Sequence, residues 1–219
     1  MIKGIAFDLD GTLIDSAETL TIAWSSTFGE FGLDVKPSEI RKYVGLSPAV
    51  IASKFINNLS NDDIEKMKST RKKYFIENIK RIKVFPDAFS SISKLKEMGI
   101  MASIATSMGK DMINEIVEYF KINQLVCCWV SSEEVKNSKP EPDVFLKAFE
   151  KMGLSPNACI SVGDREYDII AGKKGGSLTA LIVRDEYSKS ISVKPDYIIH
   201  DLNELLDIVR MVNGIQKSL

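Results

Sequence analysis

The 219-residue sequence is poor in histidine, in cysteine and in any surplus of one charge, and each shortage removes a class of function. The single histidine, His200, stands just before Asp201 at an expected helix start and reads as a surface residue without a role. The three cysteines, Cys127, Cys128 and Cys159, are odd in number and two are adjacent, so they build no disulfide framework. Set among Leu125, Val126, Ala158 and Ile160, they read as reduced core residues of a cytoplasmic protein. Lys plus Arg number 29 against 30 Asp plus Glu, which leaves no bulk attraction to nucleic acid or to an anionic membrane. No apolar run is long enough to cross a bilayer, and Asp8 and Asp10 interrupt the first hydrophobic stretch too early for a signal peptide. Internal repeats and low-complexity tracts are also missing.

What is present is an apolar content of 44%, enough for a large core. Near-continuous apolar runs at Ile2–Phe7, Ile100–Ala105, Val126–Val130, Cys159–Val162 and Leu178–Val183, with a sixth ending at Ile198 and Ile199, suit parallel strands covered on both faces. Between them apolar residues recur at helical spacing: Phe89, Ile92, Leu95 and Met98; Met112, Ile113, Ile116, Val117 and Phe120; Val144, Phe145, Ala148 and Met152 behind Pro142. Asp201 and Glu204 form a capping pair for a last helix over Leu202–Met211. Alternating strands and helices predict an α/β fold, a Rossmann-like doubly wound parallel sheet.

Residues 16–82 break that rhythm. No strand is expected there, and helical spacing runs through Leu20, Trp24, Phe28 and Phe31, then Ile40 and Val44, then Ile51 and Phe55, then 64–82. Ser47-Pro48 and Ser60-Asn61 read as helix starts. The expected organisation is a core of 1–15 and 83–219 with a helical cap of 16–82. The aromatic and methionine positions of this insert are expected in its core, and the basic run Lys66, Lys68, Arg71, Lys72 and Lys73 on a solvated helix face.

In an open α/β sheet, ligands sit beyond the carboxyl ends of the strands. The residues predicted there are Asp8 and Asp10, then Thr106 and Ser107, then Lys139, then Asp164 with Asp168. Two carboxylates as close as Asp8 and Asp10 repel each other and resist burial, which calls for a cation or a reaction. Three or four carboxylates favour a hard divalent cation such as Mg²⁺. Thr106 and Lys139 supply a donor and a point charge for an oxyanion, most naturally phosphoryl. A carboxylate can attack phosphorus, and a second one two residues on can protonate the leaving oxygen and then activate water. Gly11 relieves crowding where amides approach the phosphoryl oxygens.

The stretches "DLDGTLIDS" (8–16), "ATS" (105–107), "KPEPDVF" (139–145) and "GDREYD" (163–168) together resemble the haloacid dehalogenase superfamily of phosphohydrolases. The insert after the first of them is similar to the helical cap of the phosphoglycolate phosphatase-like and β-phosphoglucomutase-like branch. The resemblance implies Asp8 as nucleophile and metal ligand, and Asp10 as general acid/base with its carbonyl on the metal. It implies Thr106 and Lys139 as phosphoryl ligands, Asp164 on Mg²⁺, and Asp168 in support directly or through water. Ser107 stands where relatives commonly have Asn, so its amide carries more weight than its side chain; Asp87 and Arg165 also depart from the usual pattern. In the insert, the Gly45-Leu46-Ser47 loop is the expected substrate contact, with Arg41 and Lys42 as sources of charge.

The implied activity is a Mg²⁺-dependent phosphatase for a small phosphate ester, as a monomer or homodimer. Dehalogenases and phosphonoacetaldehyde hydrolases of the superfamily lack the second Asp, which is present here as Asp10. A phosphomutase keeps all four stretches and stays open as an alternative. A receiver-like phospho-accepting module is the alternative from another class, although its acceptor Asp follows the third strand. The reading requires the carboxyls of Asp8 and Asp164 to lie close enough to share one ion.

Overall fold

The computed structural model of the protein describes residues 1–57, 59–189 and 191–215. Six parallel strands form the central sheet: β1 (Gly4–Phe7), β4 (Met101–Ala105), β5 (Cys128–Val130), β6 (Cys159–Gly163), β7 (Leu178–Ile182) and β8 (Tyr197–Ile199). Their order is β5-β4-β1-β6-β7-β8. The chain therefore winds one way from β1 through β4 and β5, and the other way through β6, β7 and β8. The winding reverses at β1, and this switch point opens the crevice in which such sheets bind ligands.

Side-chain alternation along the strands divides the core in two. Ile5 and Phe7 of β1 point into the larger apolar cluster, with Ile104, Val162 and Ile182. Ala6 and Ala105 point to the other face, under Phe145, Phe149 and Ala148 of α7 (Asp143–Met152). Helices α5 (Ala88–Glu97), α6 (Lys110–Tyr119) and α8 (Glu166–Lys174), the short α9 (Glu186–Lys189), and α10 (Glu204–Asn213) complete the two layers. The last helix begins two residues later than its sequence pattern suggests: Asp201 accepts from the Asn203 amide while Glu204 accepts from the Asp201 amide, so that pair closes a turn ahead of the helix.

Four helices occupy the early insert: α1 (Ala17–Glu30), α2 (Pro37–Ile40), α3 (Pro48–Ser53) and α4 (Asn61–Glu77). Ser60 caps α4 in a reciprocal box, with the Asp63 amide donating to Ser60 Oγ and the Ser60 amide to Asp63 Oδ2. Trp24, Phe28, Ile40, Ile51 and Met67 form a separate apolar cluster. The insert is entered and left through a two-stranded antiparallel ribbon that the sequence pattern does not announce, β2 (Ile14–Asp15) against β3 (Lys83–Val84). Each strand has only two residues, too few for period-two alternation to register.

Two expectations need correction. Cys127 is exposed rather than in the core; it lies just ahead of the edge strand β5, where the sheet has no further neighbour to cover it. Arg71 is not on a solvated face: it is 6% exposed, whereas Lys66, Lys68 and Lys73 of the same run are exposed.

Candidate active site

The carboxyl ends of β1, β4 and β6 deliver the predicted residues to one place. The Asp8 amide extends the β1–β6 ladder by donating to Val162 O at 2.7 Å, so Asp8 is positioned by sheet register. The chain then turns: the Gly11 amide donates to Ile14 O at 2.8 Å, with Gly11 at φ +84°. A side chain at Gly11 would be strained there and would collide with the Asp164 carboxylate. Gly11 is therefore required both by the backbone and by the close approach of the next acidic residue.

Lys139 is the hub. Its Nζ lies 2.6 Å from Asp8 Oδ1, 2.7 Å from Asp168 Oδ1 and 2.8 Å from Ala105 O, with all three side chains buried. Burial works against its charge, but Asp168 and Asp8 outweigh it and hold the ammonium above its usual range. Asp168 sits in the first turn of α8 and accepts from the Arg165 amide at 3.1 Å. Thr106 continues from β4, its amide bound to Val130 O at 3.1 Å and its hydroxyl oxygen accepting from the Met108 amide at 3.1 Å. The Thr106 hydroxyl hydrogen remains to be donated. Ser107 is buried, its Oγ without a partner.

Carboxylate oxygens of Asp8, Asp164 and Asp168 come within 4.8 Å of one another, the arrangement of a metal-binding group. Asp8 and Asp164 are thus close enough to share one ion, as the sequence reading required. Both oxygens of Asp164 are buried without a hydrogen bond; its cationic neighbour is Arg165, whose Nε lies 3.1 Å from Oδ2 in an ion pair lacking hydrogen-bond alignment. Burial drives the Asp164 carboxyl well above its ordinary value, and Arg165 opposes this only in part. Burial likewise lifts Asp8 to about 7 against the pull of Lys139. A set of oxygens this crowded, dry and under-paired fits a hard divalent cation.

Asp10 occupies a different environment. Its side chain turns from the cluster to accept from the Ser16 hydroxyl, and burial raises it to about 6 against that bond. Two aspartates two residues apart are thus placed for different tasks, one against an ammonium and one beside a neutral hydroxyl.

The insert closes over this edge. Tyr167 Oη donates to Val44 O at 3.0 Å, and a side chain at Gly45, whose φ is +98°, would strike the Tyr167 ring. Leu46 and Gly45 face a cavity shared with Asp10, Ser107, Trp24 and Arg71. Arg41 borders a second cavity with Asp10, Gly11 and Asp164, where its Nη2 is 3.3 Å from Asp185 Oδ2. Asp185 is in turn held at 2.8 and 3.0 Å by Arg165.

Sequence reasoning gave no site role to Trp24, Tyr167 or Ser16, and placed Arg71 on a solvated basic face. For Arg71 a signal existed: it lies four residues from both Met67 and Phe75, on the buried stripe of α4. A cation on an apolar stripe asks what neutralises it.

Residues 5–182 match the description of the haloacid dehalogenase-like hydrolases. The chain belongs to that family. It is 30% identical over 210 residues to a phosphoglycolate phosphatase of Aquifex aeolicus, covering 94% of this chain and 97% of the relative. It is 28% identical over 213 residues to the pyrophosphatase PpaX of Oceanobacillus iheyensis, covering 95% and 97%. Among solved structures, a predicted phosphoglycolate phosphatase from Haemophilus somnus superposes with a TM-score of 0.83 at 24% identity, over 95% of this chain and 98% of the other. A β-phosphoglucomutase from Clostridium difficile shares the fold with a TM-score of 0.84 at 21% identity, over 98% of each chain. Family membership makes the chain an enzyme of the phosphatase kind and sets aside the receiver-like alternative. No helix among the described residues is long and apolar enough to cross a membrane.

Proposed function

We propose that this chain is a Mg²⁺-dependent phosphatase that hydrolyses a small phosphorylated metabolite, phosphoglycolate-like or a sugar phosphate, through an aspartyl-phosphate on Asp8. The observation that carries the proposal is the buried Lys139–Asp8–Asp168 cluster with Asp164 inside ligand distance of both carboxylates. Residues 16–82 act as the cap and 1–15 with 83–219 as the catalytic core, working in the cytoplasm.

Asp8, Asp164 and Asp168, with the Asp10 carbonyl, would hold the cation, which when bound would screen the carboxylates and the charge on the phosphoryl oxygens. Lys139, the Thr106 hydroxyl and the backbone at Gly11 and Ser107 orient the phosphoryl group. Lys139 also pulls Asp8 toward its anionic form and aims it. Asp8 attacks phosphorus; the bond to the leaving oxygen breaks, and that oxygen takes the proton of Asp10. The Asp10 carboxylate then removes a proton from water. The resulting hydroxide attacks phosphorus, the bond to Asp8 breaks, and phosphate departs with both aspartates restored. An acid raised to about 6 is suited to give and retake a proton near neutrality. The closed insert excludes bulk water during both steps.

A screen of phosphorylated metabolites with Mg²⁺ is expected to release inorganic phosphate rather than an isomer of the substrate. Asp8→Asn is expected to lower kcat by about a thousandfold or more while circular dichroism stays unchanged. Retained turnover in that variant excludes Asp8 as nucleophile.

A further inference from the structure

The chemistry on Asp8 and Asp10 leaves Arg71 unused. It is 6% exposed, its guanidinium carbon lies 4.9 Å from the centre of the Trp24 ring, and its Nε is buried without a partner. Among the described residues it forms no ion pair; the charges whose fields reach it are Asp10 and Glu133. The small cavity it shares with Asp10, about 30 Å³, is walled by Trp24, Val44, Leu46 and Met108, and only Asp10 and Arg71 of its lining are charged.

Burying a guanidinium carries a desolvation cost that an aromatic face returns only in part. Asp10 is not its counter-ion: the Asp10 carboxylate accepts from the Ser16 hydroxyl and makes no ion pair with Arg71 among the described residues. Asp10 and Arg71 line one cavity, so the group attached to the oxygen that Asp10 protonates has Arg71 within the same enclosure. The described residues leave the guanidinium without an ion pair there. We infer that Arg71 seats a negative charge borne by the leaving group, so that the substrates are small phosphate esters or anhydrides whose leaving group is itself a carboxylate or a phosphate. The inference rests on the phosphatase reading above and adds a residue and a substrate class to it. A neutral leaving group of the same size would strand the Arg71 charge against apolar walls, which is how a polar site rejects an uncharged isostere.

The test compares 2-phosphoglycolate with ethyl phosphate, which replaces the carboxylate by a methyl group, and includes pyrophosphate as the phosphate-leaving arm. The wild-type enzyme with Mg²⁺ is expected to favour at least one anionic substrate over ethyl phosphate by about tenfold or more in kcat/KM. Arg71→Gln is expected to cut that ratio about tenfold or more, and Arg71→Lys to keep part of it. Calorimetric binding of the same three compounds to Asp8→Asn, with and without Arg71→Gln, reads the preference without turnover. The arm that responds identifies the anion as carboxylate or phosphate, and either supports the inference. Equal wild-type values for all three compounds overturn it, as does a preference that Arg71→Gln leaves intact. Binding preference for an anionic compound with no hydrolysis of any of them sinks the phosphatase reading while leaving the anion seat at Arg71 standing.

Discussion

The sheet edge and the helical insert meet the same problem, buried charge, in opposite ways. At the sheet edge the buried charges are paired: Lys139 lies against Asp8 and Asp168, and Arg165 lies beside Asp164. In the insert Arg71 forms no ion pair among the described residues, and its guanidinium lies over Trp24. A fully cross-linked cluster treats every substrate alike, because its contacts are to the phosphoryl group that all of them share. An unpaired cation across a small cavity discriminates, because its partner must be brought by the substrate. Chemistry and selection are thus assigned to separate regions of the molecule.

The strongest way to break this division is at Lys139. Replacing it by methionine leaves Asp8 and Asp168 as uncompensated buried carboxylates, and losing one partner of such a pair costs about 3–5 kcal/mol. Urea unfolding without metal is expected to show that loss at pH 8, less at pH 5 where Asp8 is protonated, and a partial recovery on adding Mg²⁺. Turnover is expected to fall by about a hundredfold or more with Mg²⁺, equally for 2-phosphoglycolate and ethyl phosphate. If the ratio of the two changes as it does for Arg71→Gln, catalysis and selection are not separate.

The same contrast explains what could be read from the chain. The core was legible because its site residues are fixed to strand ends: apolar runs place Phe7, Ala105 and Gly163, and register does the rest. Asp8, Thr106 and Asp164, each directly after a strand, then meet at one edge, and Asp168 follows in the first turn of α8; Lys139, nine residues beyond β5, was legible only through the resemblance of its stretch to the family's. The insert has no such register. Arg71 sits in a lysine-rich stretch that looks solvated, and only its spacing from Met67 and Phe75 betrays burial. The Tyr167–Val44 bond links residues 123 apart in sequence and has no local signature. Nor did the loop at Gly45 and Leu46 carry more than a guess, since its approach to Tyr167 depends on how the insert docks.

Removing metal sharpens the comparison at moderate cost. Asp8 and Asp10 stand near 7 and 6 in the folded chain against 3.8 as isolated groups, burial being the main cause in each. Between pH 4 and 7 the folded state therefore holds more protons than the unfolded one, so stability must fall as pH rises through that window. Below it both states are protonated and above it both are ionised, with the folded state bearing the full desolvation cost. Urea titrations in EDTA are expected to show a slope of up to about 1.4 kcal/mol per pH unit for each group. With Mg²⁺ the slope should flatten, because the cation replaces the protons. A rising slope in EDTA would show that Lys139 already compensates the cluster without metal.

The smallest effect is expected at Arg41, the other basic residue of the insert that faces the site. Unlike Arg71 it has a partner: one nitrogen lies 3.3 Å from Asp185, with both side chains about a quarter to a third exposed. Asp185 keeps its two contacts to Arg165 when Arg41 is removed. A single-contact, partly solvated pair contributes about 0–1 kcal/mol. Arg41→Ala should therefore shift Tm by no more than about 4 °C and leave the preference of 2-phosphoglycolate over ethyl phosphate within about threefold of wild type. Its remaining contribution is to tie the insert to the core, so what change there is belongs in KM for every substrate at once. Should Arg41→Ala erase the preference as fully as Arg71→Gln, the leaving group's charge is shared between two arginines of the insert, and the Asp185 contact is one that substrate displaces.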